Sequence, residues 1–574
     1  MNGKKTTGGL SRYQAMVYTL TFFAGIYQGS QVLLTFFTMA APNTRCFIPS
    51  IDNISGTSNG SSDYNSVFAY NMSEQVLGNR VLDSGSEVYC TYCENGSTNI
   101  CTESPIRKTC DFGYVYDRSD YVSTMTTMYN LVCDRAWMRD LIKSLWMFGV
   151  LAGSLTLGTL SDRYGRKTIF VISSFAEVIL ACSLPFMNSY YAVAFVEFAT
   201  GMCSSGVFMA AFIIVMELFD GPARTIAGIG LQSSCTAGYF LNGVIAYHIR
   251  DWKQLQLTCS LIGLAFIPYI WVMPESLTWL VQRGKTAKVV QLRKRIARIN
   301  GRQEFAEVRE IPMATEENIP GHASLIDLLR HKRLALTFSL TAYNWLTGAM
   351  AYYGLSWYTS SLPGNTYVNY FISAAVELPA YILSAVMFEY FGRRSALSSM
   401  YLLAGLCLLV AGLLRADQKV IVTVVAIAGK TCVAAAYAMA YNYAAEMLPT
   451  ECRHAGTGVC SMCSRLGAIA APQINLLASD GLRGEAQMME GYYVAHWMPI
   501  LVFGCFALIC GVLDVFLPET KGKALPNSIE DALSLVSRKT SGKKKIDSQP
   551  PMKITAISED VKQAVNSLRI SMKL

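Results

Sequence analysis

The strongest constraint in this sequence is a charged motif that occurs twice. Asp162–Lys167 and Glu389–Arg394 each follow an apolar run, and each has an acid, a glycine three positions later and two adjacent cations. The two acids lie 227 positions apart, and Pro274–Ser276 is matched in the same order by Pro518–Thr520. Because the signature returns among long hydrophobic segments, the sequence predicts two similar halves.

A second pair of charges recurs in the same way. Glu217 precedes Arg224 by seven residues and Glu446 precedes Arg453 by seven residues, with an offset of 229 between the two acids. A repeat of this length is typical of membrane transporters in which two bundles enclose a substrate site.

The composition places the chain in a membrane. Hydrophobic residues make up 52% and charged residues 15% of the 574 positions, with a mean hydropathy of +0.30, whereas ordinary soluble proteins are more polar. A spanning helix needs about 20 apolar residues. The segments that meet this requirement lie near 15–40, 141–160, 168–187, 189–216, 224–247, 255–273, 333–358, 366–388, 395–414, 419–445, 454–478 and 494–517. The predicted fold class is an all-α membrane protein with twelve transmembrane helices in two pseudo-symmetric six-helix bundles.

The predicted domain boundaries follow from these segments. They are an N-terminus at 1–14, an N-terminal bundle at 15–273 that includes a loop at 42–140, a central loop at 274–332, a C-terminal bundle at 333–517 and a tail at 518–574. We expect the tail to be disordered, because it mixes Lys, Ser and other polar residues. Its last residues, Met572–Leu574, offer a weak motif for a scaffolding protein that binds C-termini.

Lysine and arginine residues indicate the orientation, because they concentrate in cytoplasmic loops. Twelve of them lie between 282 and 333, and Lys543–Lys545 add three in the tail. We therefore expect both termini to be cytoplasmic and the net charge of +8 to face anionic lipid. No folded module for binding nucleic acid accompanies these cations.

The predicted loop at 42–140 then faces the outside. It contains four glycosylation sequons, at Asn53, Asn59, Asn71 and Asn95. It also contains an even set of cysteines, which are disulfide candidates in an oxidising space: Cys46, Cys90, Cys93, Cys101, Cys110 and Cys133. Zinc binding by Cys90 and Cys93 is the less favoured alternative, and the sequence does not choose among the disulfide pairings.

Several motifs together resemble the organic ion transporters of the major facilitator superfamily. They are Tyr121–Thr124, Asn130–Asp134, Leu160–Lys167, Pro274–Ser276 and Pro518–Gly522. The resemblance extends from Pro42 to about Pro526, and a large glycosylated loop between the first two helices is also typical of that family. It implies a carrier that works by alternating access.

The repeated charges have a mechanical interpretation. Acid and arginine pairs at cytoplasmic helix ends can close a gate in one conformation and separate in the other, and the resemblance favours this role. The predicted gate residues are Asp162, Arg166, Glu217, Arg224, Glu389, Arg393, Glu446 and Arg453. The alternative is that they are solvated helix ends that mark topology, since exposed ion pairs contribute little stability.

Charged residues in the middle of a spanning helix are costly unless they face a cavity or a partner. Glu377, Lys430 and Arg465 lie within predicted helices of the second half. One acid and two bases suit a cavity that holds both ends of a zwitterion. For the acids Glu177, Glu197 and Asp514 we expect helix-end or structural polar contacts.

Members of the family that this chain resembles differ at these positions according to the substrate they transport. Members that transport organic cations have an acid where this chain has Arg465, and members that transport organic anions have a lysine where it has Tyr381. Carnitine and zwitterion-type members share three motifs with this sequence: Ser464–Gly467, Val376–Tyr381 and Gly429–Lys430. The resemblance is therefore closest to the carnitine-type members.

Aromatic residues complete the predicted site. A quaternary ammonium group donates no hydrogen bond and binds to aromatic faces, whereas a guanidinium offers a planar fork of donors to a carboxylate. The predicted substrate-binding residues are Arg465, Glu377, Lys430, Trp345, Tyr352, Gln232, Tyr381 and Tyr437, with Gln28 and Gln31 as weaker candidates. The alternative for each aromatic residue is packing or lipid contact.

The sequence thus predicts a multi-pass plasma-membrane transporter of small organic ions, with carnitine-like zwitterions or quaternary ammonium compounds as best candidates. The alternatives are an organic anion transporter on the same fold and a receptor or sensor that binds without transport. No enzyme motif occurs in a suitable context. No cofactor or metal site is predicted, and coupling to sodium or protons stays open.

Overall fold

The predicted helices are present in the computed structural model of the chain. It describes residues 11–47, 91–93, 107–219, 222–301, 325–359, 362, 364–414, 419–449, 452–480, 491–523, 526 and 528–536. The long helices are α1 (Arg12–Thr38), α2 (Ala136–Tyr164), α3 (Arg166–Ser183), α4 (Tyr190–Leu218), α5 (Pro222–His248), α6 (Trp252–Leu261, continued by Ile262–Phe266 and Tyr269–Val272), α7 (Lys332–Tyr358), α8 (Thr366–Ala375 and Glu377–Phe391), α9 (Arg393–Leu413), α10 (Lys419–Met447), α11 (Arg453–Asp480) and α12 (Gly491–Asp514). The predicted fold class is confirmed.

Not every helix is apolar throughout. Within the described residues, eight helical stretches are long and apolar enough to cross a membrane, and Met498–Asp514 in α12 is a shorter one. The helices α5, α7 and α11 fall below this threshold. They contain polar residues such as Thr236, Asn344 and Arg465, which are buried or half-buried. Helices that line the interior of a bundle carry such residues because protein, rather than lipid, surrounds them.

Four short strands follow α1. Strands β1 (Thr44–Cys46) and β4 (Tyr114–Tyr116) pair antiparallel, as do β2 (Thr91–Cys93) and β3 (Arg107–Thr109). Cys46 and Cys110 form a disulfide, and Cys133 is also disulfide-bonded, so these cysteines behave as predicted. The candidates Cys90 and Cys101 and the sequons at Asn53, Asn59, Asn71 and Asn95 lie outside the described residues.

Short helices lie between α6 and α7 and after α12. Leu277–Gln282, Thr286–Asn300 and Leu325–Arg330 occupy the predicted central loop. In the predicted tail, Ile529–Val536 is helical and buries Ile529 and Ala532 against the C-terminal core. The prediction of a disordered tail was therefore wrong for this segment. Its apolar residues fall on one face of a helix, and the average composition of the whole tail does not show this local pattern.

The two halves meet at the end of the molecule that contains the strands, which we call the strand side. Phe37 of α1 stacks on Tyr367 of α8, with ring centroids 5.6 Å apart, and its centroid lies 4.7 Å from that of Tyr370. Tyr121, from the segment after β4, lies against Tyr367 at 6.4 Å. Aromatic side chains from both halves thus close the strand side.

The opposite end contains the repeated charged motifs, and we call it the motif side. On the strand side, Ser144 of α2 donates a hydrogen bond to the carbonyl of Ile469 of α11 at 2.8 Å. On the motif side, a Cβ atom added to Gly158 of α2 or Gly458 of α11 would have nothing within 4 Å. These two helices therefore touch on the strand side, whereas each has a glycine without neighbours at its Cβ position on the motif side.

Small residues let neighbouring helices approach closely, and α2 provides a matched test. A Cβ atom at Gly153 would overlap the backbone of Met202 on α4, whereas one at Gly158 would meet no atom within 4 Å. We expect Gly153→Ala to destabilise the protein by about 1–3 kcal/mol through overpacking, and Gly158→Ala to have little effect. Thermal unfolding of the two purified variants measures this difference. Equal melting temperatures would contradict the packing of α2 on α4.

Candidate functional site

A buried acid lies where the two halves meet at mid-depth. Glu377 is 0% exposed and accepts hydrogen bonds from Tyr352 of α7 at 2.9 Å and from Thr236 of α5 at 3.0 Å. It follows the interruption of α8 at Val376. Pro379 explains the interruption, because proline has no N–H to donate to the preceding turn. Glu377 is thus the first residue of a helical segment, where the helix dipole favours an acid.

Lys430 of α10 partly neutralises this acid. Its Nζ atom lies 3.6 Å from Oε1 of Glu377 and makes shorter contacts with Ser373, at 2.5 Å to the hydroxyl and 3.2 Å to the carbonyl. Lys430 is only 3% exposed. Lys430 and Glu377 therefore form an ion pair, and Ser373 holds the lysine more closely than Glu377 does.

Arg465 of α11 has a different environment. Its nearest ionisable groups are Tyr353, Tyr437 and Tyr441, and Tyr353 is its hydrogen-bond partner. The Nε atom is buried and has no hydrogen-bond partner. Among the described residues, no carboxylate forms an ion pair with Arg465, so its charge is uncompensated by an acid.

Tyrosine side chains connect the acid to the arginine. Tyr437 makes hydrogen-bonding contacts with Ser464 at 2.7 Å and Tyr441 at 3.1 Å. The ring of Tyr352, which donates to Glu377, lies 5.9 Å from the ring of Tyr437. The result is one aromatic site in which an acid and an uncompensated arginine lie on different helices.

The predicted site residues fall into two groups. The structure brings Glu377, Lys430, Arg465, Tyr352, Tyr381 and Tyr437 together, and Tyr381 lies near Thr236 and Glu377. Gln232 is half-buried on α5, one helical turn before Thr236. Thr236 and Ser373 are absent from the predicted site. The four-residue spacing from Gln232 to Thr236 is a signal that predicts Thr236, because residues one helical turn apart share a face.

Trp345 and the two glutamines have other surroundings. Trp345 is 1% exposed, donates to the carbonyl of Ala440 at 3.2 Å and packs 4.0 Å from the ring of Tyr441. It lies behind a tyrosine of the site and supports that ring. Gln28 donates to Glu177 at 2.7 Å and Gln31 to the carbonyl of Cys259 at 3.4 Å. Both glutamines therefore make contacts inside the N-terminal half.

The repeated motifs assemble into one cluster in each half, on the motif side. In the C-terminal half, Arg393 donates to both carboxylate oxygens of Glu446 at 3.1–3.2 Å, and Thr520 donates to Glu446 at 2.6 Å. In the N-terminal half, Arg166 lies 3.4 Å from Glu217, to which Ser276 also donates. The sequence repeat is therefore a structural repeat.

The glutamates of the Pro-Glu-Ser and Pro-Glu-Thr motifs have a role that the sequence did not reveal. Glu275 accepts from the backbone N–H of Lys167 at 3.1 Å. Glu519 accepts from the backbone N–H groups of Arg393 and Arg394 at 2.9 and 3.1 Å. They cap the first turns of α3 and α9, whose N–H groups lack helical partners. Burial opposes ionisation of Glu519, but the backbone donors prevail and lower its pKa.

The glycine of each repeated motif is required by this capping. Gly165 and Gly392 have φ values of +113° and +88°, and an added Cβ would overlap the carboxylate of Glu275 or Glu519 respectively. A residue without a side chain adopts this backbone conformation at no steric cost. In each motif the glycine thus makes room for the glutamate that caps the helix on which the arginine lies.

The predicted gate pairs are partly realised. Arg166 pairs with Asp162 at 2.9 Å as well as with Glu217. Arg393 pairs with Glu446. The backbone carbonyl of Glu389 accepts a hydrogen bond from Nζ of Lys521 at 2.5 Å. The side chains of Arg224 and Arg453 lie outside the described residues. Each observed pair joins residues of one half.

Three further acids lie inside the helices. Asp514 is 1% exposed and accepts two hydrogen bonds from Asn344 at 2.9 and 3.1 Å. Glu177 is 0% exposed and Glu197 is 4% exposed. The contact of Asp514 is structural, as expected for these acids, because it joins α12 to α7 within one half.

The chain matches known proteins over most of its length. Residues 111–530 match the family described as sugar (and other) transporter. The organic cation transporter protein of Drosophila melanogaster is 33% identical over 541 residues, which are 91% of this chain and 92% of that protein. Solute carrier family 22 member 3 of Mus musculus is 34% identical over 72% of this chain and 73% of its own length. Solute carrier family 22 member 6-A of Xenopus laevis is 31% identical over 92% of each.

Solved structures share the fold. The xylose transporter from E. coli, in a partially occluded inward open conformation, has a TM-score of 0.55 and 14% identity, covering 90% of this chain and 100% of that chain. A structure of a D-xylose-proton symporter has a TM-score of 0.54 and covers 89% of this chain.

The clusters on the motif side predict a separation between rate and affinity. Arg393→Gln removes the contacts with Glu446 but leaves Arg465 and Glu377 in place. Because hydrogen bonds to charged groups contribute about 1.5–3 kcal/mol, we expect transport to slow by about tenfold or more with substrate affinity unchanged. Uptake and binding in proteoliposomes measure both quantities. The control is Arg330→Gln, because the side chain of Arg330 is 74% exposed. Unchanged turnover with lost affinity in Arg393→Gln would contradict the assignment.

Proposed function

The chain belongs to the sugar (and other) transporter family, and we propose that within it the chain transports carboxylate-bearing organic ions, with carnitine-like zwitterions as the best-fitting class. The chain is a secondary transporter of the organic ion type, since the relatives that it matches are transporters and not enzymes. The observation on which the proposal rests is the pairing pattern of the three charges within the helices. Glu377 has a lysine partner, whereas Arg465 interacts with tyrosines and has no acid as a partner among the described residues.

Arg465 is the proposed partner of the substrate carboxylate. Its Nε atom is buried without a partner, and a guanidinium binds a carboxylate through a planar fork of donors. A buried cation without a counter-ion is costly. A bound carboxylate removes that cost, because it supplies the missing negative charge.

Glu377 and the tyrosines are the proposed partners of the ammonium group. The lysine ammonium already lies 5.9 Å from the ring of Tyr352, a geometry that suits a cation over an aromatic face. Lys430 is 3.6 Å from Glu377 but 2.5 Å from Ser373. A substrate ammonium therefore replaces the weaker contact of Lys430 while Ser373 keeps the lysine in place.

An organic anion is the second candidate substrate class. With Glu377 and Lys430 paired, the site has one net positive charge, on Arg465. A substrate with a single carboxylate satisfies this site without displacing Lys430. A membrane receptor that binds without transport is the remaining alternative, which uptake into sealed vesicles separates from both transport proposals.

We infer that transport proceeds by alternating access at the plasma membrane, with the motif side and both termini in the cytoplasm. The halves touch through Phe37 and Tyr367 on the strand side, and open space lies at Gly158 and Gly458 on the motif side. The opposite state requires that the aromatic contacts separate while the motif side closes. The clusters of Arg166 and Arg393 then move as parts of intact halves, since each lies within one half.

Uptake of a panel of organic cations, anions and zwitterions into vesicles with imposed ion gradients tests the proposed function. We expect uptake of zwitterions such as carnitine above that of simple quaternary ammonium ions. Binding without uptake of any member of the panel would instead support a receptor.

The assignment of Arg465 to the carboxylate and Glu377 to the ammonium of the substrate predicts a change in selectivity in variants of these residues. Losing one partner of a buried charged contact costs roughly 2–5 kcal/mol, so Arg465→Ala should shift selectivity from zwitterions toward quaternary ammonium ions by more than about tenfold. Glu377→Gln should spare monocarboxylates and impair zwitterions, while Asp514→Asn, a buried acid outside the site, serves as the control. Equal loss of all three substrate classes in both site variants would show that these charges only hold the helices together.

A further inference from the structure

We propose that Glu177 is the ligand of a monovalent cation, Na⁺ or a proton, inside the N-terminal half. This site is separate from the one that contains Glu377, and its cation binding does not depend on the proposed substrate. Only its coupling to transport rests on the proposed function.

The charge of Glu177 has no internal counter-ion among the described residues. Glu177 lies on α3 and is 0% exposed, and its Oε1 atom has no hydrogen-bond partner. The titratable groups that face it are the phenol of Tyr27 on α1 and the thiol of Cys203 on α4. Neither of these groups is a cation at neutral pH.

Two other buried acids of this chain show how a cation compensates a buried carboxylate. Asp140 is 2% exposed and pairs with Arg139 at 3.0 Å and Lys143 at 2.9 Å. Glu377 is paired with Lys430. An unpaired buried carboxylate is several kcal/mol less favourable than a paired one. Glu197 and Asp514 also form no ion pair among the described residues, but of the buried acids in that part of the chain only Glu177 has a buried carboxylate oxygen without a hydrogen-bond partner. A bound cation satisfies that oxygen.

The groups around Glu177 suit a hard cation. Its Oε2 atom accepts from Nε2 of Gln28 at 2.7 Å, and the Oε1 atom of Gln28 contacts the hydroxyl of Ser204. The hydroxyl of Tyr27 is buried without a partner. Carboxylate, amide and hydroxyl oxygens are the ligands of hard metal cations. A proton neutralises the carboxylate alone, whereas Na⁺ also uses these neighbouring oxygens.

Two helices connect this site to Glu377. Gly29, next to Gln28 on α1, packs so closely on α5 that an added Cβ would overlap the backbone of Cys235. The next residue of α5, Thr236, donates to Glu377 at 3.0 Å. A cation that fixes Gln28 and α1 therefore also fixes the backbone that positions Thr236.

Cation binding by the purified full-length protein is tested by its thermal stability. A cation that binds only the folded state raises the melting temperature with its concentration. We expect a rise of about 2–4 °C when NaCl replaces choline chloride at pH 8, if the ligand is Na⁺. If the ligand is a proton, the same rise appears instead on lowering the pH from 8 to 6 in choline chloride.

The variant Glu177→Gln keeps the shape of the side chain but removes its charge. We expect it to lose the response that the wild type shows, and to be as stable without the cation as the wild type is with it. The matched control is Glu197→Gln, another buried acid of the same half, which should retain the Na⁺ response. A wild type that responds to neither cation, or a Glu177→Gln variant that responds as the wild type does, would overturn the proposal.

Carnitine uptake into proteoliposomes tests the coupling separately. If the site is coupled to transport, the cation that stabilises the wild type should raise its uptake at least about threefold, and Glu177→Gln should transport at a rate independent of that cation. A stabilising cation without any effect on uptake would overturn the coupling but leave the binding site. Absence of carnitine uptake together with an intact thermal response would overturn the proposed substrate and leave the cation site in place.

Discussion

The cost of placing a charge away from water governs the interior of this molecule. Asp140 pairs with Arg139 and Lys143, and Glu377 pairs with Lys430. Arg465 in the C-terminal half and Glu177 in the N-terminal half lack such a partner within the described chain, and each has a buried polar atom without a hydrogen bond. The positions where the chain leaves a charge uncompensated are those where a bound ion or substrate has the most to contribute.

The same constraint explains why the candidate site and the motif clusters are built differently. The site joins α5 of one half to α7, α8, α10 and α11 of the other, so its contacts depend on how the halves are arranged. The clusters lie within single halves, and Glu275 and Glu519 bind backbone N–H groups at the starts of α3 and α9. They make each half a stiff unit, which is what motion of two halves as bodies requires.

The two sides of the molecule use different chemistry for closure. Aromatic rings of Phe37, Tyr367 and Tyr370 close the strand side, and each ring pair contributes only about 0.5–1.5 kcal/mol beyond the burial of its area. On the motif side, the ion pairs of Arg166 and Arg393 each lie within one half, so separation of the halves breaks neither of them. This asymmetry lets one ligand between the halves shift the balance between two arrangements by modest differences in binding energy.

The sequence by itself determined the number and order of the helices, the two-fold repeat and the three charges of the site, because hydrophobic length and repeated motifs are local signals. It also associated Arg393 with Glu389 as neighbours in sequence, whereas the structure pairs Arg393 with Glu446. Only the tertiary structure decided that Trp345 supports Tyr441, that Gln28 serves Glu177, and that Glu275 and Glu519 cap helices. These outcomes depend on contacts between helices distant in sequence, and the periodicity of a single helix does not specify which neighbour fills each face.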